Sequence, residues 1–235
     1  MKVTLLSYTR NPQRTIYASA RQCYSQESAA YIYRRNKKIS SEKLKKFIAH
    51  LVERGHLSPL EHVTFTFAIE GISRVCTHQL VRHRLASYSQ QSQRYVSMEN
   101  CHFIVPPLIK KNPDAYREFK KAIVSAKEAY KRLQALLAED KHIKREEINQ
   151  DLRFILPQAT ETKIVMTMNV RELLHFLGER MCMRAQWEIR TLASKVYTIC
   201  KKILPEVFSL AGPKCRLLKY CPEKYKECPL YGKYF

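Results

Sequence analysis

Glycine is scarce in this chain of 235 residues, which has only Gly55, Gly71, Gly178, Gly212 and Gly232. No G-x-G-x-x-G turn and no P-loop can be built from glycines so widely spaced. A dinucleotide, if bound, must be gripped by side chains and helix ends instead of a Rossmann turn. Zinc-type spacings are absent too. The eight cysteines contain no C-x2-C, and Cys215, Cys221 and Cys228 are separated by five and six residues. His56 with His62, and His78 with His83, fit no zinc pattern either, so no metal site is expected. There is no G-x-S-x-G elbow, and nothing identifies a base for Ser92, so it is read as a hydrogen-bonding group and not as a nucleophile. No apolar run approaches the about 18 residues of a membrane helix, and no secretory segment follows Met1. The expectation is a cytoplasmic protein with reduced thiols.

What is abundant is positive charge. Forty-two Lys and Arg face 21 Asp and Glu, a net charge of +21. That balance favours phosphorylated or polyanionic partners and carries no information about fold. Two classes of function follow. One is a basic nucleic-acid-binding protein without enzymatic activity, although no RRM, KH or zinc-finger pattern is present. The other is an enzyme for a small anionic ligand. The stretch Gln79 to Tyr95 bears on the choice. It has no acidic residue, and it combines Arg82, His83, Arg84 and Arg94 with Gln79, Gln90, Gln91, Gln93, Ser87, Ser89 and Ser92. Arginine offers a planar fork for phosphate or carboxylate, and Gln and Ser add directional donors and acceptors. Such a segment suits the floor of a site for an anionic, hydrogen-bonding ligand, most simply a nucleotide. A solvated basic helix-loop remains the alternative.

Periodicity predicts the frame. Lys2 to Ser7 reads as a short buried strand. Asn11-Pro12 opens a helix to about Cys23, and Tyr24 to Ile39 reads as loop. Ser41 to Arg54 is an amphipathic helix closed by Gly55. Ser58-Pro59 signals another helix start, whose free N–H groups could hold a phosphate. Val63 to Glu70 alternates as a half-buried strand. Ser73 caps a helix that fades near Leu85 and sets Gln79 and Arg82 on one face. Ser87 to Gln93 is expected as loop, and Tyr95 to Val105 as a strand. Asn112-Pro113 opens the longest helix, whose stripe from Tyr116 to Leu137 is a packing seam in a bundle or between subunits. Lys144 to Arg153 is a short helix and Glu161 to Met168 a strand. Asn169 and Glu172 form a capping-box pattern. A helix from about Met181 to Ile203 stops at Pro205, and the Cys-bearing end reads as an extended tail. Arg171 stands out, because a cation in a helix's first turn opposes the dipole unless an anion or ring lies there.

The frame Q-x-x-R-H-R-x-x-S-Y-x-x-x-S-x-R-Y, matched from Gln79 to Tyr95, resembles the signature of the flavin-dependent thymidylate synthases. G-H-x-S-P-x-E-H from Gly55 to His62, Arg153 to Pro157, Asn169-Val170-Arg171, and Arg180 through Ala185 to Glu188 are similar to further landmarks of that family, in family order. The resemblance implies an α+β fold: a single domain over residues 1–210 with a central, mostly antiparallel sheet flanked by helices, some of them long, followed by the Cys-bearing tail 211–235. It implies reductive methylation of dUMP to dTMP. Methylenetetrahydrofolate would be the one-carbon donor, FAD reduced by NADPH the hydride source, and tetrahydrofolate the product. It implies a homotetramer with shared active sites, no membrane and no nucleic-acid partner. Carried over by position, Arg180 would be the catalytic residue. Ser58, Arg82, His83, Arg84, Gln90, Asn169, Val170, Arg171 and His175 would hold FAD. Gln79, Leu80, Val81, Arg82, Gln90, Gln91, Ser92, Gln93, Arg94, Arg153 and Arg180 would hold dUMP. Gln90 departs from the Glu common in this family and lacks its charge.

Overall fold

Alternating Phe and Thr after Val63 build the strand on which the sheet is centred. The computed structural model describes residues 1–35 and 39–234. Among them the order is β1 (Lys2–Tyr8), α1 (Pro12–Gln22), α2 (Ala29–Arg35), α3 (Ser41–Glu53), β2 (Thr64–Ser73), α4 (Arg74–Leu80), β3 (Ala86–Gln90), α5 (Pro107–Lys111), α6 (Pro113–Leu137), α7 (Arg145–Leu152), β4 (Glu161–Asn169), α8 (Val170–Arg180), α9 (Trp187–Ile203), α10 (Pro205–Phe208) and α11 (Lys214–Leu218). Short 3-10 turns lie at Ser58–His62 and Arg153–Ile155. The strands form one antiparallel sheet in the order β1-β2-β4-β3, so the chain is α+β as expected. Thr66 and Thr167 set the β2–β4 register, their hydroxyl oxygens 3.0 Å apart. Gly71 in β2 has φ +69, and a Cβ there would come within 2.9 Å of the Met1 backbone nitrogen, so only glycine fits that close approach.

Residue contacts cluster into two compact units. The first comprises Met1–Lys2, Ile69–Leu80 and Ser89–Ile164; the second comprises Val3–Ala68, Val81–Tyr88 and Val165–Phe235. Each gathers several separate stretches of chain, so neither is a consecutive module. In the second unit Phe65 and Phe67 stack at 6.2 Å, and Phe65 meets Phe208 of α10 edge-on at 6.1 Å. All three are fully buried, which contributes about 1.5–3 kcal/mol each by transfer. Helices α8 and α9 pack on one another through buried faces that include Leu173, Leu177, Ile189 and Leu192. The first unit has its own core of Met98, Cys101, Tyr130, Ile148 and Leu152.

Several segments differ from their sequence reading. β1 is an edge strand with one neighbour, and none of its residues is buried: Leu6 and Tyr8 are 56% and 45% exposed. Ala29–Arg35 is helical where loop was expected, and residues 36–38 of that stretch lie outside the described residues. α4 ends at Leu80, so Arg82 is not on a helical face with Gln79. Residues 86–90 pair as β3 instead of looping, because Gln and Ser find backbone partners at the sheet's other edge. Residues 95–105 form no strand beyond a single bridge between Phe103 and Thr160. α9 begins only at Trp187, where the Gln186 side chain accepts from the Glu188 and Ile189 amides. The caps at Ser73, Asn112 and Asn169 are formed as read, and Ser40, not singled out in the sequence, caps α3. Asn11 does not cap α1 with its side chain, since it sits in the left-handed region at φ 52. The tail is folded, with α11 and a series of turns.

Tyr130 is the one residue of α6 that is buried. Its hydroxyl accepts from the Met98 amide at 3.2 Å and donates to Asn149 Oδ1 at 3.3 Å. Tyr130→Phe strands a buried donor and acceptor, so urea unfolding is expected to show a loss of about 1–3 kcal/mol. A variant as stable as the parent would mean that these two bonds contribute nothing net.

Candidate functional site

The Asn169 side chain accepts from the Glu172 amide at 2.8 Å and starts α8. The Glu172 carboxylate does not complete the capping box; it turns inward and lies 3.3 Å from Nδ1 of His83. Two turns on, Arg180 ends the helix and donates from Nε to Nε2 of His83 at 3.0 Å. His83 therefore carries its proton on Nδ1, which donates to Glu172. The relay Arg180–His83–Glu172 is buried at its centre, with His83 5% and Glu172 5% exposed. Phe176 packs edge-on against the imidazole at 5.1 Å, and His175 lies at 5.6 Å. The His83 carbonyl accepts from the Tyr88 hydroxyl at 3.0 Å.

The electrostatics fix the charge states. Burial holds His83 far below its ordinary value, at about 4; Arg180 and then His175 add to this, and Glu179 opposes it. Burial pushes Glu172 up, partly offset by His175. At neutral pH the imidazole is uncharged and passes the orientation of Glu172 to Arg180. The terminal amino groups of Arg180 make no hydrogen bond among the described residues. His83, Glu172 and His175 offer three ligand atoms within 4.8 Å of one another. With the Arg180 guanidinium already on His83, the arrangement is a hydrogen-bond relay and repels a cation.

The same unit holds a cavity of about 330 Å³ lined by Leu57, Arg171, Leu174, His175 and Lys214, among others. It is an apolar slot with cationic and imidazole groups at its edge, the mixture that a flat ring joined to phosphates requires. Arg171 is ion-paired with Glu61 of the 3-10 turn, which also answers the dipole conflict at the start of α8. Ser58 is exposed on that turn.

The first unit has a second cleft, of about 300 Å³, lined by Arg74, Gln93, Arg153, Phe154, Leu156, Pro157 and Gln158. Desolvation and then the charge of Arg153 lower Arg74 from its ordinary value, so two guanidiniums converge there. Gln93 Nε2 and Arg94 Nε are buried donors without a protein partner. Two cations and an unpaired amide donor are a recognition set for an oxyanion such as phosphate.

Comparisons with known proteins decide the family. The model of the family "Thymidylate synthase complementing protein" matches residues 4–206. A flavin-dependent thymidylate synthase of Nitratidesulfovibrio vulgaris is 49% identical over 94% of this chain and 91% of its own length. Proteins of the same name from Clostridium tetani and Pyrococcus abyssi are 44% and 46% identical over 97% and 95% of the chain, and 93% and 90% of their own lengths. This chain belongs to the thymidylate synthase complementing protein family.

Within that family frame, the residues read from sequence fall into three groups. In the second unit, Arg180, His83, Asn169, Arg171 and His175 gather on or beside α8, and Val81, Arg82 and Arg84 are exposed next to buried His83. In the first unit, Gln93 and Arg153 share the arginine cleft, while Gln91 lines a different cavity. Several residues are committed to the protein itself. Leu80 and Val170 are fully buried core side chains, and the Val170 amide donates to the Val63 carbonyl at 2.8 Å. The Gln90 amide donates to the Thr77 and Thr162 hydroxyls at 3.1 and 3.3 Å. Ser92 accepts from the Arg94 amide at 3.2 Å and shapes a turn. Both ring nitrogens of His83 are taken, Nε2 by Arg180 and Nδ1 by Glu172.

Sequence reasoning missed Arg74 and Glu172. Arg74 sits in the first turn of a helix with no acid, the same signal that marked Arg171. Glu172 was hidden behind its capping position. Because the folded-state value of His83 is depressed, the unfolded chain binds an extra proton between about 6.5 and about 4. This contribution is complete above about 6.5, and stability falls as pH drops through that window, by up to about 1.4 kcal/mol per pH unit for one proton. Denaturant titrations from pH 7 to 4 should show that slope, reduced in His83→Gln. Equal slopes in both proteins would assign the acid sensitivity elsewhere.

Proposed function

We propose that this chain is an FAD-dependent thymidylate synthase that converts dUMP to dTMP. Methylenetetrahydrofolate donates the one-carbon group, NADPH is the reductant and tetrahydrofolate is released. The observation that carries the reading is Arg180, held through Nε by a neutral buried imidazole and left with its terminal amino groups for a ligand. A guanidinium against the uracil imide stabilises its ionised form. Electron density then rises at the ring carbon, which attacks the methylene carbon. A cysteine nucleophile is not needed: Cys76, Cys101 and Cys200 are buried, and burial raises the Cys101 and Cys200 thiols above their ordinary values. The arginine cleft of Arg74, Arg153 and Gln93 suits the phosphate of dUMP. Arg171, His175 and the apolar cavity beside them suit FAD, with Ser58, Arg82, Arg84 and Asn169 as further contacts. When bound and reduced, FAD supplies the hydride that completes the methyl group. Gln79 and Arg94 remain candidate dUMP contacts.

The enzyme works as a homotetramer with shared sites. The seam predicted along α6 supports this, since Tyr116 and Leu133 are 42% and 38% exposed on a helix with one buried residue. No helix among the described residues is long and apolar enough to cross a membrane.

Purified protein should be yellow and form dTMP from dUMP. Arg180→Ala should retain FAD yet lose turnover by orders of magnitude, and Arg180→Lys should recover only part, because an ammonium keeps charge without the planar fork. Activity of the flavin-loaded Ala variant within a few-fold of the parent would remove Arg180 from the mechanism. Arg74→Ala and Arg153→Ala should each weaken dUMP binding by about 1.5–3 kcal/mol, roughly 10- to 150-fold, while leaving FAD content intact. Unchanged dUMP affinity in a calorimetric titration would clear the cleft of that role.

A further inference from the structure

Four of the eight cysteines, distant in sequence, meet in one place. Cys182 lies just beyond α8, Cys215 is on α11, and Cys221 and Cys228 are in the turns that follow. All four line a cavity of about 250 Å³. All are half-buried and unpaired as disulfides. The cavity's rim charges are matched, Arg184 against Glu223 at 3.7 Å and Lys214 against Glu179. The hard carboxylates are therefore occupied, and the soft sulfurs are the free ligand atoms.

We infer that Cys182, Cys215, Cys221 and Cys228 are the four thiolate ligands of an iron–sulfur cluster that fastens the tail to the turn after α8. The spacing favours a cluster over a single ion. A tetrahedral zinc with bonds of about 2.3 Å draws its sulfurs to about 3.8 Å of one another. Here no three of these sulfurs lie mutually within 4.8 Å. A cluster spreads its ligands because each thiolate binds a different iron, or a pair shares one. The Leu230 amide donates to Cys228 Sγ at 3.4 Å, the type of bond that tunes a cluster's sulfur ligands. Lys219 and Lys224, on either side of Cys221, hold φ of 59 and 50, a strained setting for non-glycine residues that clusters at ligand sites. Uptake of a cluster preassembled on a thiolate donor breaks four donor S–Fe bonds and forms four to these cysteines; the four cysteine protons pass to the departing donor thiolates, and no electron moves. Three of the four ligands lie beyond the residues that the family model matches, and the inference does not depend on the proposed activity.

The test is the full chain purified without oxygen, assayed for iron, acid-labile sulfide and zinc. Iron and sulfide are expected in equal amounts, about two or four of each per chain. Cys215→Ser, Cys221→Ser and Cys228→Ser should each lose about tenfold or more of both, and Cys23→Ser neither. Iron and sulfide near zero, zinc in their place, or a content indifferent to all three variants would overturn the cluster. Should the variants misfold by circular dichroism, alkylation of the parent decides. The four thiols should be protected until an iron chelator is added, and immediate alkylation of all four would overturn the assignment.

Discussion

A guanidinium that must stay charged is tied, 3.0 Å away, to an imidazole that must stay neutral. The bond survives only because His83 is buried and its other nitrogen is held by Glu172. Were the imidazole protonated, Nε2 would become a donor and two cations would face each other. Desolvation prevents this by holding His83 at about 4. Burial of one histidine thus sets the direction of the arginine beside it. In the segment Val81–Tyr88 His83 turns inward while Arg82 and Arg84 remain exposed on either side.

Helix α8 makes this possible because its residues that meet His83 recur at helical spacing. Glu172, Phe176 and Arg180 are four apart, and His175 and Glu179 flank them. All present groups to His83 or its surroundings. The same helix is fixed at its start by Asn169 and by the pairing of Arg171 with Glu61. A helix held at both ends can keep a charged side chain at its C-terminus in one orientation, which lowers the ordering cost of binding a ligand there. Its length and phase, more than any single contact, determine where the candidate catalytic group stands.

Much of this was legible in the sequence where local physics decides. The β2 alternation, the α6 helix, and the Ser73, Asn112 and Asn169 caps are local signals, and the structure contains them. The misread segments are those whose fate depends on a distant partner. Residues 86–90 look like loop because Ser and Gln have poor strand propensity, yet they pair along an open sheet edge. β1 looks buried because it is apolar, yet it has a neighbour on one side only. At the site, the residue types pointed to an anion and the arginines were recognisable. What could not be read was which polar groups the protein keeps for itself. Gln90 spends its amide on Thr77 and Thr162, and His83 spends both nitrogens on Arg180 and Glu172; all of these partners but Thr77 are 72 to 97 residues away.

The same limit explains the tail. Five and six intervening residues between Cys215, Cys221 and Cys228 match no short metal motif, and Cys182 lies 33 residues before the first of them. A ligand set is defined by convergence in space, and spacing in sequence reports it only when the ligands share one turn. Here α8 and α11 bring separate stretches to one cavity, so the pattern appears only once the chain is folded. The scarcity of glycine has the same consequence. Without a glycine-rich turn, the polar groups of the arginine cleft come from separate elements: Arg74 from α4, Gln93 from the turn after β3, and Arg153 from the turn after α7. The binding power of such a chain is therefore a property of its packing, and a core substitution that shifts α4 or α8 should disturb ligand binding without touching a ligand.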